Sequence, residues 1–246
     1  MLNEPTEEKL KAMKLTGMLA GWSEQRKNPA HAELGFDERF GLLVDAEALY
    51  RENRRLKRVL REAKLRLSHA CVEGIDYPAK RRLDKSVIAQ LSTCRWVAEA
   101  QHVVITGATG TGKSYVACAL AHQACRKGHR ALYRRSPKLF QELRLARADG
   151  THPRLMTRLA RMNVLVIDDF GTGTLSDADR QDLLEILDDR YDVGSVIVAG
   201  QLPTKGWHEY IGDPTLADAI CDRVLHRAHQ LTLHGPSRRK DNPINP

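Results

Sequence analysis

Eight consecutive residues, Gly107, Ala108, Thr109, Gly110, Thr111, Gly112, Lys113 and Ser114, read GATGTGKS and fit the spacing G-x-x-x-x-G-K-[ST] between an apolar run and an alanine-rich helical one. Glycines at these steps let the backbone curl so that successive N–H groups face inward toward phosphate oxygens. A helix that starts at the lysine adds its positive end. In such a loop Lys113 bridges the β and γ phosphates, and the Ser114 hydroxyl takes a place on magnesium. The predicted ligands are therefore ATP and Mg²⁺.

A loop of this kind needs a second anchor for the metal. The run Val164-Leu165-Val166-Ile167 ends in Asp168-Asp169, which puts two carboxylates at the tip of a buried strand, where they repel each other unless a cation is near. Asp168 is the predicted metal ligand and Asp169 the group that polarises the attacking water, with a solvated neighbour or a helix cap as the plainer role for Asp169. Gln201 follows a later apolar run and is placed to orient that water through one hydrogen bond given and one accepted, or else simply ends the strand. Arg223 and Arg227 lie one turn apart on a predicted helix. Either could serve as a finger reaching a neighbouring subunit's nucleotide, or form a surface salt bridge.

The elements that must position these residues alternate. Predicted strands run 102–106, 130–134, 164–168, 195–199 and 230–233, and predicted helices run 113–127, 137–148, 176–191 and 214–227, the signature of a parallel sheet between helices. Residues 1–70 show helical periodicity and almost no strand signal. Phe40, Leu43, Val44, Leu49, Leu56, Leu60 and Leu67 are predicted to form one apolar face with arginines mostly opposite. The expected organisation is a helical N-terminal domain over 1–70, a basic connector over 71–100 and a P-loop α/β domain over 101–246. The tail from Gly235 to Pro246 is expected to be loose and too short for a helical lid over the nucleotide, so an open site would be closed by a neighbouring copy.

The 246-residue chain carries a formal charge of +8 and 28% charged residues, which favours a polyanionic partner. Between Arg51 and Arg66 eight basic residues face two acids. Arg51, Arg54, Arg55, Arg58 and Arg61, with Lys80, Arg81 and Arg82, are the candidate DNA contacts. Aromatic residues make up only 5% of the chain, too few for a stacking ladder on single strands, so the duplex backbone is the expected target. Five cysteines, none at C-x-x-C spacing, read as reduced core residues. No apolar run is long enough for a membrane span and the N-terminus has no secretory pattern, so no membrane partner is expected and the cytoplasm is the expected location.

Taken with the loop, the segments Leu165 to Gly171 (LVIDDFG), Asp182 to Tyr191 (DLLEILDDRY), Gln201 to Pro203 and Trp207 to Arg223 (WHEYIGDPTLADAICDR) resemble the IstB-like transposition helper ATPases. That group is similar to the DnaC-type helicase loaders within the AAA+ superfamily, and the likeness extends from about Tyr77 to Lys240. The resemblance implies an AAA+ core and an ATPase that oligomerises on DNA and assists a cognate transposase. It implies Lys113 and Ser114 as phosphate and magnesium residues, Asp168 and Asp169 as the second-motif carboxylates, Gln201 as sensor and Arg223 as finger. Many relatives have Asp-Glu where this chain has Asp168-Asp169, and the shorter side chain implies slow turnover. Relatives often carry a hydroxyl residue before the glutamine, where this chain reads VIVAG. A helicase loader, a small-molecule kinase on the same loop and a DNA-bound scaffold that never hydrolyses ATP are the alternatives.

Overall fold

A computed structural model describes residues 3–237; the tail beyond 237 lies outside the described residues. The chain divides between residues 58 and 59 into two compact units.

The first unit contains α1 (Asn3–Ala12), α2 (Thr16–Lys27) and most of α3 (Phe36–Ala63). The predicted apolar face of α3 is only partly buried, since Phe40, Val44 and Leu49 are all exposed. The contact with α2 is made one step around the helix. A side chain at Gly17 would overlap the Ala46 carbonyl and come within 2.6 Å of the Tyr50 Cβ, while Gly21 faces Ala46 and Leu43. Close approach of the two backbones is thus possible only because position 17 lacks a Cβ. Glu47 is buried on this face, where it accepts the Met18 N–H at 3.0 Å and pairs with Arg51 at 2.6 Å. It supplies the oxygen that α2 lacks at its own N-cap, Leu15.

The second unit begins with the end of α3 and includes α4 (Lys85–Ser92) and α5 (Arg95–Ala98). These are followed by β1 (His102–Gly107), α6 (Lys113–Arg126), β2 (Ala131–Arg135), α7 (Ser136–Ala148), α8 (His152–Ala160) and β3 (Val164–Phe170). Then come α9 (Asp177–Asp188), β4 (Ser195–Gly200), α10 (Trp207–Ile211), α11 (Pro214–Leu225) and β5 (Ala228–Leu233). The five strands form one parallel sheet in the order β2-β3-β4-β1-β5. All five predicted strands and four predicted helices are present, with ends shifted by a few residues.

Alternation along the strands sorts the two faces. Val104, Leu132, Leu165, Ile167, Val196 and Val198 join the core under α7, α9 and α11. Val103, Ile105, Tyr133, Val164, Val166 and Asp168 point the other way, toward α6, whose Val116, Ala117, Cys118, Leu120 and Ala121 are wholly buried. Two helices were not predicted. The first is α8, whose Pro153 sits in the first turn, where proline is tolerated. The five-residue α10 is too short to show a period. Trp207, at the start of α10, packs its ring 4.7 Å from Phe170, and Tyr210 adds an edge-on contact at 5.2 Å. The WHEY segment thereby braces the strand that carries Asp168 and Asp169.

Four cysteines are buried, Cys71 is half-buried, and all five are free. Burial pushes the Cys118 and Cys125 thiols up to about 11, which leaves them poor nucleophiles.

Candidate nucleotide-binding site

The loop between β1 and α6 turns through left-handed backbone at Gly110 (φ 82°) and Gly112 (φ 94°). Gly112 is the N-cap of α6 and offers no side-chain cap. The N-cap of this 14-residue helix therefore contributes no side-chain oxygen to the first N–H groups, an arrangement that suits a phosphate oxyanion. Thr111 is buried and holds the turn by donating its hydroxyl to the Ala108 carbonyl at 2.8 Å. Lys113 Nζ donates to the same carbonyl at 2.9 Å, so its ammonium lies over the loop. Thr109 is exposed on the outer turn, and Ser114 lies in the first turn of α6.

Asp168 and Asp169 sit in a bulge. The register pairs Ile167 with Val198 but Phe170 with Gly200, so three steps of β3 oppose two of β4. Asp169 takes φ 56°, unusual for a residue with a side chain. The bulge lets Asp168 face α6 while Asp169 emerges at the strand tip. It also brings the Phe170 carbonyl to where a side chain at position 200 would sit, so glycine is required there. The Asp168 side chain is fully buried, and its oxygens accept the Tyr133 hydroxyl at 2.6 Å and the Asp169 N–H at 2.9 Å. Each carboxylate oxygen has a second lone pair, so Asp168 keeps acceptor capacity for a metal or its water. Burial and the Asp168 carboxylate push the Tyr133 phenol well above its usual range, so it stays a donor. Asp169 is paired with Arg135 at 2.6 Å, and Arg66 is 3.8 Å away. Neither arginine was singled out as part of the site. Only the pairing of Arg135 opposite Asp168 across β2 and β3 exposes the first of these partners.

Because β4 lies between β1 and β3, the three strand ends share one edge of the sheet. Thr106 is level with Gly200, so Gln201 follows opposite Gly107, between the loop and the aspartate bulge, and is exposed. Open parallel sheets bind ligands at this carboxyl edge, where the strand order reverses. Arg223 and Arg227 are elsewhere. The Arg227 carbonyl accepts the His102 N–H at 3.0 Å at the start of β1, five strand steps, or about 16 Å, from the loop. There Arg223 pairs with Asp188 and Arg227 with Asp192 on the same chain, and both line a recess of about 260 Å³ with His102 and Tyr191.

The candidate DNA contacts fare unevenly. Arg54, Arg55, Arg58 and Arg61 are exposed along α3, and exposed Arg51 is tied to Glu47. Lys80 and Arg82 are exposed, but Arg81 is a correction. It is buried, donates to the Asp76 carbonyl at 2.9 Å, and packs its guanidinium where a Gly112 side chain would be. A basic run read as DNA contacts thus contributes one residue to the phosphate loop's wall. Among the described residues His152, Asp182 and Glu185 bring ligand atoms within 4.8 Å of one another. The Arg147 guanidinium already occupies Asp182 there.

Comparison with known proteins follows the same lines. A family model described as IstB-like ATP binding protein matches residues 8–245. The insertion-sequence ATP-binding protein y4pL of Sinorhizobium fredii is 44% identical over 98% of this chain and 98% of its own length. That of IS1162 from Pseudomonas fluorescens is 43% identical over 83% and 89%. Among solved structures, the DnaC helicase loader has a TM-score of 0.56 at 19% identity, covering 67% of this chain and 97% of its own. DnaI has a TM-score of 0.58 at 20% identity, covering 74% and 93%. These two likenesses concern the fold alone.

Proposed function

The chain belongs to the family of IstB-like ATP-binding proteins, and from that premise we propose that it is a cytoplasmic ATPase that oligomerises on duplex DNA and assists a cognate transposase. The observation that carries the reading is the α6 N-terminus, left without a side-chain cap beneath a left-handed glycine turn, on the same sheet edge as a fully buried aspartate. Cradle and carboxylate fit a triphosphate and its magnesium. The backbone N–H groups of Gly110 to Ser114 and the Lys113 ammonium would bind the phosphates, and Ser114 and Asp168 would hold the metal. When bound, Mg²⁺ neutralises charge building on the phosphate oxygens.

Asp169 accepts a hydrogen bond from water at the strand tip, orients it for attack and receives its proton, which requires that Arg135 release the carboxylate. Gln201 fixes the same water from the neighbouring strand. Arg223, out of reach of its own loop, would serve a neighbour's nucleotide, which supports assembly with ATP at subunit boundaries. The net charge of +8 and the exposed arginines of α3 support DNA as the surface of assembly. The insertion-sequence names of the relatives support a transposase as partner.

The test compares ATP hydrolysis with and without duplex DNA for the wild type, Lys113→Ala and Asp169→Asn. Lys113→Ala is expected to lose nucleotide binding. Asp169→Asn is expected to bind nucleotide and remain on DNA while hydrolysis falls by about 100-fold or more. A wild type that never hydrolyses ATP on DNA would sink the switch and leave a nucleotide-binding scaffold.

A further inference from the structure

From Thr151 to Asn163 the chain contains three arginines and no acid. Most of this stretch is α8, whose Met156 and Leu159 enter the core while Arg154, Arg158 and Arg161 stay exposed. Steps of four and three put all three on one face, in a row about 10 Å long. Arg130, just before β2, faces them, and these four arginines with Thr157 and Met162 line a surface recess of about 360 Å³.

Two of the nearby acids are close to arginines outside α8, and the third, Asp149, is hydrogen-bonded to Thr151 and lines a neighbouring recess with Arg154 and Arg158. Glu62 is 3.6 Å from Arg130, Glu142 pairs with Arg134 at 2.8 Å, and Asp149 accepts from Thr151 at 2.6 Å. Among the described residues no carboxylate pairs with Arg154, Arg158 or Arg161. The helix is also held at both ends. At its start His152 is 3.0 Å from the buried Asp182, which Arg147 also grips. At its end the fully buried Arg190 donates to the Leu159 carbonyl at 2.8 Å, the Asn163 carbonyl at 3.2 Å and the Ser195 carbonyl at 2.6 Å. Asp182 and Arg190 both belong to the segment DLLEILDDRY, which the nucleotide site does not use. They fix the helix that carries the cationic row before any ligand arrives, so only the arginine side chains remain to be ordered on binding.

We propose that the outer face of α8 is a contact for the phosphate backbone of duplex DNA, with Arg154, Arg158 and Arg161 along one strand and Arg130 beside them. This rests on the DNA-binding reading above and adds a surface which that reading did not contain. Planar guanidinium forks match phosphate oxygens. A 10 Å row covers about three nucleotides at the ~3.4 Å axial spacing of one strand. The recess has no aromatic ring, so it offers no platform for unpaired bases. It also lies at the far edge of the sheet from the phosphate loop, since the Arg130 carbonyl accepts the Val164 N–H at the start of β3. Nucleotide binding and this contact are therefore separable by mutation.

The experiment uses the full chain and a mixed-sequence duplex. Affinity is measured by fluorescence anisotropy across a salt series, for the wild type, for Arg154→Gln/Arg158→Gln/Arg161→Gln and for the matching triple lysine variant. The glutamine variant is expected to bind at least about tenfold more weakly near 0.1 M salt, with a log–log salt slope shallower by about 2 to 3. The lysine variant should recover most of the slope, and all three proteins should bind Mg-ATP equally. An unchanged slope in the glutamine variant overturns the proposal, as does a loss that lysine fails to recover or that extends to Mg-ATP binding. Competition by millimolar inorganic phosphate equal to that by duplex phosphates would overturn it in favour of a free-anion site. Failure of the wild type to bind duplex at all would instead refute the broader DNA-binding reading.

Discussion

Replacing Gly112 with alanine tests the phosphate loop through two separate costs. Its backbone lies at φ 94°, ψ 18°, where an L side chain costs about 1–2 kcal/mol. The new Cβ would also overlap the Arg81 guanidinium, whose Cζ is 3.2 Å from that position. Arg81 is 3% exposed and tied to the Asp76 carbonyl, so it cannot swing into solvent, and overpacking of this kind costs about 1–3 kcal/mol. Together these predict a loss of about 2–5 kcal/mol, read as lower stability if the loop keeps its shape. If the loop relaxes, its N–H groups turn off the phosphates and Mg-ATP affinity falls instead by about 30-fold or more, at 1.4 kcal/mol per tenfold. Urea unfolding with and without saturating Mg-ATP, with a nucleotide titration, captures both routes. Adding Arg81→Ala should relieve the packing cost but not the backbone cost, giving a coupling of about 1 kcal/mol or more between the two sites. Gly112→Ala unfolding within ~0.5 kcal/mol of wild type, binding Mg-ATP within about threefold and showing no coupling to position 81 would mean that Gly112 and Arg81 do not set the shape of the loop.

Three other outcomes follow from buried groups. His102 is 5% exposed, its Nδ1 accepts the Val196 N–H, and burial lowers its pKa to about 4. The folded state therefore stays neutral while the unfolded chain takes up a proton below about 6.5, so this contribution is complete above that pH. It is lost as pH falls toward 4, at most about 3 kcal/mol, and His102→Gln should flatten that part of the unfolding profile. Arg190→Met removes a buried donor from the Leu159 and Ser195 carbonyls and a part-buried one from the Asn163 carbonyl, and should cost about 1–3 kcal/mol in urea unfolding. Gly17→Leu forces α2 off α3 at the Ala46 carbonyl and should destabilise the N-terminal unit, seen as a low-temperature transition in calorimetry that the wild type lacks.

What was legible in the sequence was whatever depends on local chemistry. Four apolar residues ending in Asp168 declare a buried strand and its functional tip, and the glycine spacing of the loop declares a cradle, because each requirement is met within a few residues. What was hidden depends on partners distant in the chain. The outward turn of Phe40 and Val44 follows from Gly17 and Glu47, which shift the contact of α3 by one helical step. The β3 bulge exists only relative to β4, so neither the left-handed Asp169 nor the glycine demanded at position 200 could be read from their own neighbours. Arg81, in a run with Lys80 and Arg82, has the composition of a solvated basic patch, and only its packing against Gly112 separates it from them. The salt-bridged Arg223 likewise shows a resting partner, Asp188, that is 35 positions away.

The most direct measurement is isothermal calorimetry of ATP into the folded protein, with magnesium present and then chelated. One nucleotide per chain is expected, with affinity that depends on magnesium and is abolished in Lys113→Ala. Absence of binding by the wild type, or equal heats from the Lys113→Ala protein, would contradict it.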